Sequence, residues 1–101
     1  MSLATLAATI TARKSAAPET SWTAKLLSQG PEACARKFGE EATEAIIEAI
    51  KGDRAALTRE AADVLYHLLV LLAACDLTLQ DVEAELTRRE GTSGLAEKAA
   101  R

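Results

Sequence analysis

The chain has 101 residues and a formal net charge of −3, and 49% of its residues are hydrophobic although only 3% are aromatic. A chain of this length holds one domain, residues 1–101, and buries a modest share of its surface unless subunits pair, so we expect a homodimer. The Lys and Arg residues are scattered singly or in pairs, which excludes a protein held on DNA or RNA by a continuous basic face.

Five helices are predicted in chain order, because apolar residues recur at helical spacing between residues that end helices. Pro18 enforces a loop after the first helix, and Gly30 with Pro31 separates the second helix from the third. Gly52 is a natural left-handed end for the third helix, and Asp53 is placed to cap the fourth. The predicted helices cover about 2–13, 21–29, 31–51, 53–75 and 78–89, and the segment 91–101 is predicted to be a mobile tail.

The short turn at Gly52 makes the third and fourth helices antiparallel neighbours. The fourth helix is apolar nearly all the way round over 64–72, so it must be surrounded, and one small chain has few helices to surround it. This is a second reason to expect a dimer. Cys34 and Cys75 lie far apart in helical stretches without a CxxC motif, so we interpret both as small core residues.

The first ten residues show no positively charged leader followed by a long apolar run, and no transmembrane span is indicated. We therefore expect a cytoplasmic protein that does not associate with membranes.

Acidic residues are placed symmetrically on the two sides of the predicted turn. Glu44 and Glu60 each lie eight residues from Gly52, and Glu41 and Asp63 each lie eleven residues from it. At about 1.5 Å of rise per residue, the members of each pair stand at equal heights, roughly 12 Å and 16 Å from the turn. If these helix faces meet, the four acids converge, and Glu40 lies beside them.

Converging carboxylates repel one another unless protons or cations neutralise them. An all-oxygen ligand set favours Mg²⁺, with Mn²⁺ as the alternative, and Mg²⁺ commonly binds substrate phosphates as well. This pattern is typical of hydrolysis of a phosphoanhydride by metal-activated water. Glu is also a good helix former, so a solvated acidic face is the competing interpretation of these residues.

The pattern Glu40-Glu41-x-x-Glu44, fifteen residues and then Glu60-x-x-Asp63 resembles the signature of the MazG-like all-α nucleotide pyrophosphohydrolases. The surrounding sequence is similar to the phosphoribosyl-ATP pyrophosphatase family over nearly the whole chain. The segments that carry this resemblance are 13–14, 21–24, Gly30, 37–41, 60–72 and 88–89. It implies an all-α bundle of MazG type completed by dimerisation. It also implies Mg²⁺-dependent hydrolysis of phosphoribosyl-ATP to phosphoribosyl-AMP and pyrophosphate, the second step of histidine biosynthesis.

Roles follow from this resemblance as hypotheses. Glu40, or one of the other acids, would orient or deprotonate the attacking water. His67 follows Asp63 by one turn and is interpreted as a core histidine, with a hydrogen bond to Asp63 as the alternative. The predicted Mg²⁺ ligands are Glu41, Glu44, Glu60 and Asp63, the predicted catalytic set adds Glu40, and the candidate substrate-binding cations are Arg13, Lys14, Lys25 and Lys37.

Two other functions compete with this one. A MazG-like enzyme that removes noncanonical nucleoside triphosphates would use the same acids with different base contacts. A helical interaction module without catalysis would carry the acids as a solvated surface.

Overall fold

A computed structural model describes residues 1–91 and 94–100 of the chain. Those residues form six α-helices and no β-strand, which confirms the predicted all-α fold. Two short 3₁₀ turns, Arg13–Ser15 and Pro18–Thr20, connect the first two helices. The helices are α1 (Leu3–Ala12), α2 (Trp22–Ser28), α3 (Pro31–Lys51), α4 (Arg54–Ala74), α5 (Leu79–Arg89) and α6 (Gly94–Ala100).

Local side-chain chemistry sets the helix ends near the site. Ser21 begins α2 because its hydroxyl oxygen accepts a hydrogen bond from the Ala24 amide at 3.1 Å. Asp53 begins α4 in the same way, with its carboxylate 2.9 Å from the Ala56 amide nitrogen. Between α3 and α4, Gly52 has a φ of 77°, a left-handed conformation that glycine adopts without a steric penalty. The α3–α4 pair is thus the predicted antiparallel hairpin.

The hydrophobic core lies at the end of the hairpin distant from Gly52. It is formed where α1 and α2 pack on the second half of α4 and the start of α3. Its buried residues are Ile10, Leu26, Cys34, Leu69, Val70 and Ala73. The half of the hairpin nearest the turn carries the acidic residues and has exposed apolar side chains, so the site is built on a rigid helix pair rather than inside the core.

One expectation needs correction: Cys75 is exposed rather than part of the core, and it lies at the end of α4 as its C-terminal cap. The apolar stretch 64–72 is only partly covered within one chain, in line with the expectation that one small chain has few helices to surround it, and Leu65 keeps 43% of its surface exposed.

The C-terminal segment contains one more helix than predicted. α6 falls within the segment predicted to be a mobile tail, and residues 92, 93 and 101 of that segment lie outside the described residues. In the described part of the chain, no single helix is long and apolar enough to cross a bilayer. α4 and α5 together meet that criterion by length and composition, but they are bent by 106° relative to each other.

Candidate active site

Three carboxylates from the hairpin form a cluster, here called the acid cluster: Glu41 of α3 with Glu60 and Asp63 of α4. Each contributes one oxygen to a group in which all the oxygens lie within 4.8 Å of one another. Glu41 is buried, Glu60 is half-buried and Asp63 is exposed, so the cluster has one side in the protein and one side open to solvent. A small ion or a substrate phosphate can therefore reach it.

Glu60 is the acid of the cluster that has a buried oxygen without a hydrogen-bond partner in the described part of the chain. Its Oε2 atom is buried and accepts no hydrogen bond from the described residues. A buried carboxylate oxygen without a partner carries a large desolvation cost, and a bound cation would offset it. Three carboxylates at this spacing offer the hard oxygen ligands that Mg²⁺ and Mn²⁺ take. The residues present fit a divalent metal ion.

The other two predicted acids are not part of this group. Glu44 is exposed and lies outside the three-residue cluster, one turn along α3 from Glu41. Glu40 has 64% of its side chain exposed, and its Oε2 atom accepts a hydrogen bond from Lys37 at 3.4 Å. The structure therefore brings together three of the five acids that the sequence predicts.

Lys37 is the cation beside the cluster. Its Nζ atom lies 3.4 Å from Glu40 Oε2 and 3.5 Å from Glu41 Oε1. The hydrogen bond to Glu40, with the negative charges of both glutamates, raises the pKa of Lys37 although partial burial opposes this. Lys37 therefore stays protonated at neutral pH, and a positive charge stands at the edge of the acid cluster.

The remaining predicted cations lie elsewhere. Lys14 pairs with Asp76 at 2.9 Å, and Asp76 lies thirteen residues beyond Asp63, past the end of α4. At about 1.5 Å per residue that distance is roughly 20 Å along the helix. Arg13 is an exposed neighbour of Lys14. Within one chain, these two cations are therefore far from the acid cluster.

Lys25 has a different neighbour. Its Nζ atom lies 5.9 Å from the ring centroid of Trp22, within the range of a cation–π interaction. Trp22 is the first residue of α2 and keeps 56% of its surface exposed. Lys25 therefore contacts an exposed aromatic ring rather than the carboxylates.

His67 agrees with the interpretation as a core histidine and differs from the alternative of a hydrogen bond to Asp63. It is buried, as expected of a core histidine, but its nearest acid is Glu41, with Nε2 4.0 Å from Oε1, rather than Asp63. Burial is the main reason that the pKa of His67 is lowered, and the charge of Glu41 opposes this effect. A neutral imidazole therefore lines the inner side of the cluster.

Sequence reasoning missed the contact that holds α2 against this part of α4. The hydroxyls of Thr23 and Tyr66 are 2.5 Å apart, and the Tyr66 ring meets the His67 ring edge-on at 4.9 Å. The two hydroxyls are 43 positions apart in sequence, so no local pattern indicates the pair. This chain of contacts connects the first turn of α2 to the acid cluster.

The chain is similar to a family and to relatives that are named for the same activity. The family model described as phosphoribosyl-ATP pyrophosphohydrolase matches residues 3–90. A relative named phosphoribosyl-ATP pyrophosphatase from Cereibacter sphaeroides is 74% identical over 96 residues, covering 95% of this chain and 93% of the relative. Proteins of the same name from Paracoccus denitrificans and Dinoroseobacter shibae are 75% and 73% identical, over 95% and 98% of this chain and 89% and 97% of their own lengths.

Proposed function

The chain belongs to the phosphoribosyl-ATP pyrophosphohydrolase family, and from that premise we propose that it hydrolyses phosphoribosyl-ATP to phosphoribosyl-AMP and pyrophosphate in histidine biosynthesis. The observation that carries the proposal is the acid cluster, which contains Glu41, Glu60 and Asp63, three of the acids of the family signature, within 4.8 Å of one another. An arrangement of this kind suits a polyphosphate substrate that is bound through metal ions.

Glu41, Glu60 and Asp63 would hold Mg²⁺, and Mn²⁺ is the alternative ion. The unpartnered Glu60 Oε2 atom supports this assignment because it leaves a ligand oxygen free. When bound, the ion supplies a Lewis acid that polarises the phosphoanhydride and lowers the pKa of water. Glu44 is proposed as a fourth ligand, since it lies one turn from Glu41 on α3 and is accessible from solvent.

The side chains around the cluster have separate tasks in this reaction. Water adds its oxygen to one of the two phosphorus atoms of the anhydride between the α- and β-phosphates, the bond from that phosphorus to the bridging oxygen breaks, and one proton is released at neutral pH. Glu40 is exposed beside the cluster, and we assign to it, or to one of the four proposed metal ligands, the orientation or deprotonation of that water. Lys37 is protonated and would donate hydrogen bonds to a phosphate oxygen.

Steady-state kcat/KM for phosphoribosyl-ATP against a panel of dNTPs tests the assignment. We expect phosphoribosyl-ATP to be preferred. A preference for any dNTP would show instead an enzyme that removes noncanonical nucleotides.

Thermal unfolding with and without Mg²⁺ separates both enzymes from an interaction module, because an ion that binds only the folded state raises its stability. An unchanged Tm in millimolar Mg²⁺ together with absent turnover would favour the module.

A homodimer is also proposed. On the turn half of α3, Ile46, Ile47 and Ile50 are 59%, 48% and 82% exposed. Large apolar side chains grouped on one helix face are typical of a surface that another protein covers.

We also propose a cytoplasmic location, and fractionation of cells that produce the full chain tests it.

A further inference from the structure

A groove of about 250 Å³ lies between α2 and α3, next to the acid cluster. Its walls include Trp22, Gln29, Arg36, Lys37 and Glu40. Lys37 also lies 3.5 Å from Glu41 of the acid cluster, so the groove and the cluster share one wall. A molecule that reaches the acid cluster with its phosphates can place another part of itself in this groove.

The exposed ring of Trp22 is a large apolar surface in the wall of the groove. Trp22 is the chain's one tryptophan, and 56% of its surface is exposed although burial of so large an apolar ring would be favourable. The ammonium of Lys25 over the ring and the Thr23–Tyr66 hydroxyl contact in the next residue hold this turn of α2 in position. The ring therefore forms a fixed apolar surface at the edge of a polar site.

The size of the groove limits what it binds. Pockets that enclose a whole drug-sized ligand measure about 300–1,000 Å³. A groove of about 250 Å³ takes one part of a nucleotide rather than the whole molecule. A flat heterocycle stacks on an indole, and the amide of Gln29 has both a donor and an acceptor for the edge of a base. The indole face itself offers no hydrogen bond to a phosphate, and the cations of the groove, Arg36 and Lys37, lie on its α3 wall.

We propose that this groove binds the adenine of the substrate by stacking on Trp22, and that Lys37 bridges from the groove to the phosphates at the acid cluster. The inference rests on the proposed function, to which it adds the residue that recognises the base. Trp22 is then a substrate-contact residue that affects substrate affinity more than the chemical step.

Tryptophan fluorescence tests the groove without any turnover, since Trp22 is the chain's one source of this signal. AMP is titrated into the full-length protein with Mg²⁺ and again with EDTA, and ribose 5-phosphate serves as the matched probe that lacks the base. We expect AMP to quench the emission saturably in at least the Mg²⁺ titration and ribose 5-phosphate to leave it unchanged. Equal quenching by ribose 5-phosphate, or none by AMP under either condition, overturns the proposal.

Kinetics with substituted proteins give the second test. Trp22→Ala is expected to raise KM for phosphoribosyl-ATP about tenfold with kcat nearly unchanged, whereas Trp22→Tyr keeps a stacking surface and a KM near that of the wild type. Leu86→Ala is the control, because Leu86 is similarly exposed at 58% but lies on α5.

The two failures are distinguishable. A wild-type KM in Trp22→Ala, with circular dichroism showing intact helices, overturns the base site while the activity stands. If the wild type does not hydrolyse phosphoribosyl-ATP, the proposed function fails, and the AMP titration still decides whether the groove binds a base.

Discussion

Glu41 and Asp63 face each other across the α3–α4 hairpin. Each contributes one oxygen to the acid cluster, in which the three carboxylate oxygens lie within 4.8 Å of one another. Each lies eleven residues from Gly52, so the antiparallel turn brings them to the same height. Lys37 approaches this pair from the solvent side and His67 from the buried side. A site of high negative charge is thereby held on two rigid helices, with one open face for the substrate.

Asp63→Asn is expected to lower kcat/KM by about a hundredfold or more, because it removes a ligand of the proposed Mg²⁺ ion, the cation that would stabilise the negative charge on the phosphates. The same change is expected to stabilise the metal-free fold by ~1 kcal/mol, since it relieves repulsion with Glu41 and Glu60. Enzyme assays and urea denaturation in EDTA measure the two effects. Glu44→Gln is expected to lose turnover as well, which tests its assignment as the fourth ligand.

Glu83→Gln is the matched control for these substitutions, because it removes one carboxylate from an exposed position on α5. It should leave both activity and Mg²⁺-dependent stabilisation unchanged. Full activity in Asp63→Asn would contradict the metal site.

Lys37→Met removes the cation at the edge of the acid cluster. We expect kcat/KM to fall about tenfold, equivalent to ~1.4 kcal/mol, because a charged donor to phosphate is lost. Mn²⁺ should bind more tightly, since its binding no longer has to overcome the positive charge 3.5 Å from Glu41. Isothermal titration calorimetry measures the affinity. Weaker Mn²⁺ binding in this variant would show that Lys37 supports the ion site rather than opposing it.

Tyr66→Phe removes the contact between α2 and α4 with little change in shape. Loss of one part-buried hydrogen bond is expected to lower the free energy of unfolding by ~1 kcal/mol. For a domain of this size that corresponds to a decrease in Tm of roughly 4–8 °C. Thr43→Val is the control, because the Thr43 hydroxyl donates only to the Gly39 carbonyl of its own helix on an exposed face. Equal losses of unfolding free energy in both variants would mean that the Thr23–Tyr66 contact stabilises the fold no more than an exposed hydrogen bond within one helix.

Ile46→Glu tests the proposed dimer. A charge placed in a buried apolar interface is unfavourable, so we expect this variant to be monomeric at concentrations where the wild type is dimeric. Light scattering coupled to size-exclusion chromatography measures the mass. Leu86→Glu, at a residue of similar exposure on α5, should stay dimeric. A monomeric wild type, or an unaffected Ile46→Glu dimer, would exclude this face as the interface.

Glu85 should titrate far below the usual range of a glutamate. Arg88 donates to both of its carboxylate oxygens and, with Arg89, lowers the pKa of Glu85 from 4.5 to about 2. The folded-state pKa is depressed, so the stabilisation is present above pH 4.5 and is lost as the pH falls toward about 2. An NMR titration of the side chain measures it, and Arg88→Gln should move the pKa back up. The shift should shrink in high salt because the pair is exposed.

The ends of the long helices could be read from the sequence because they depend on neighbouring residues. Gly52 adopts its left-handed conformation and Asp53 caps α4. At the start of α5, Thr78 and Asp81 exchange hydrogen bonds, each side chain accepting from the other residue's backbone amide. The equal heights of Glu41 and Asp63 follow from the same turn. Each of these features needs only the geometry of a helix and the identity of a few adjacent residues.

Only the tertiary structure decided which side chains meet. The spacing of the acids was compatible with four converging carboxylates, but the structure groups Glu41, Glu60 and Asp63 and leaves Glu44 exposed. The Thr23–Tyr66 contact was equally out of reach of local reasoning. The physical reason is that sequence spacing defines positions around each helix, whereas the rotation of one helix against another is set by packing of the whole core.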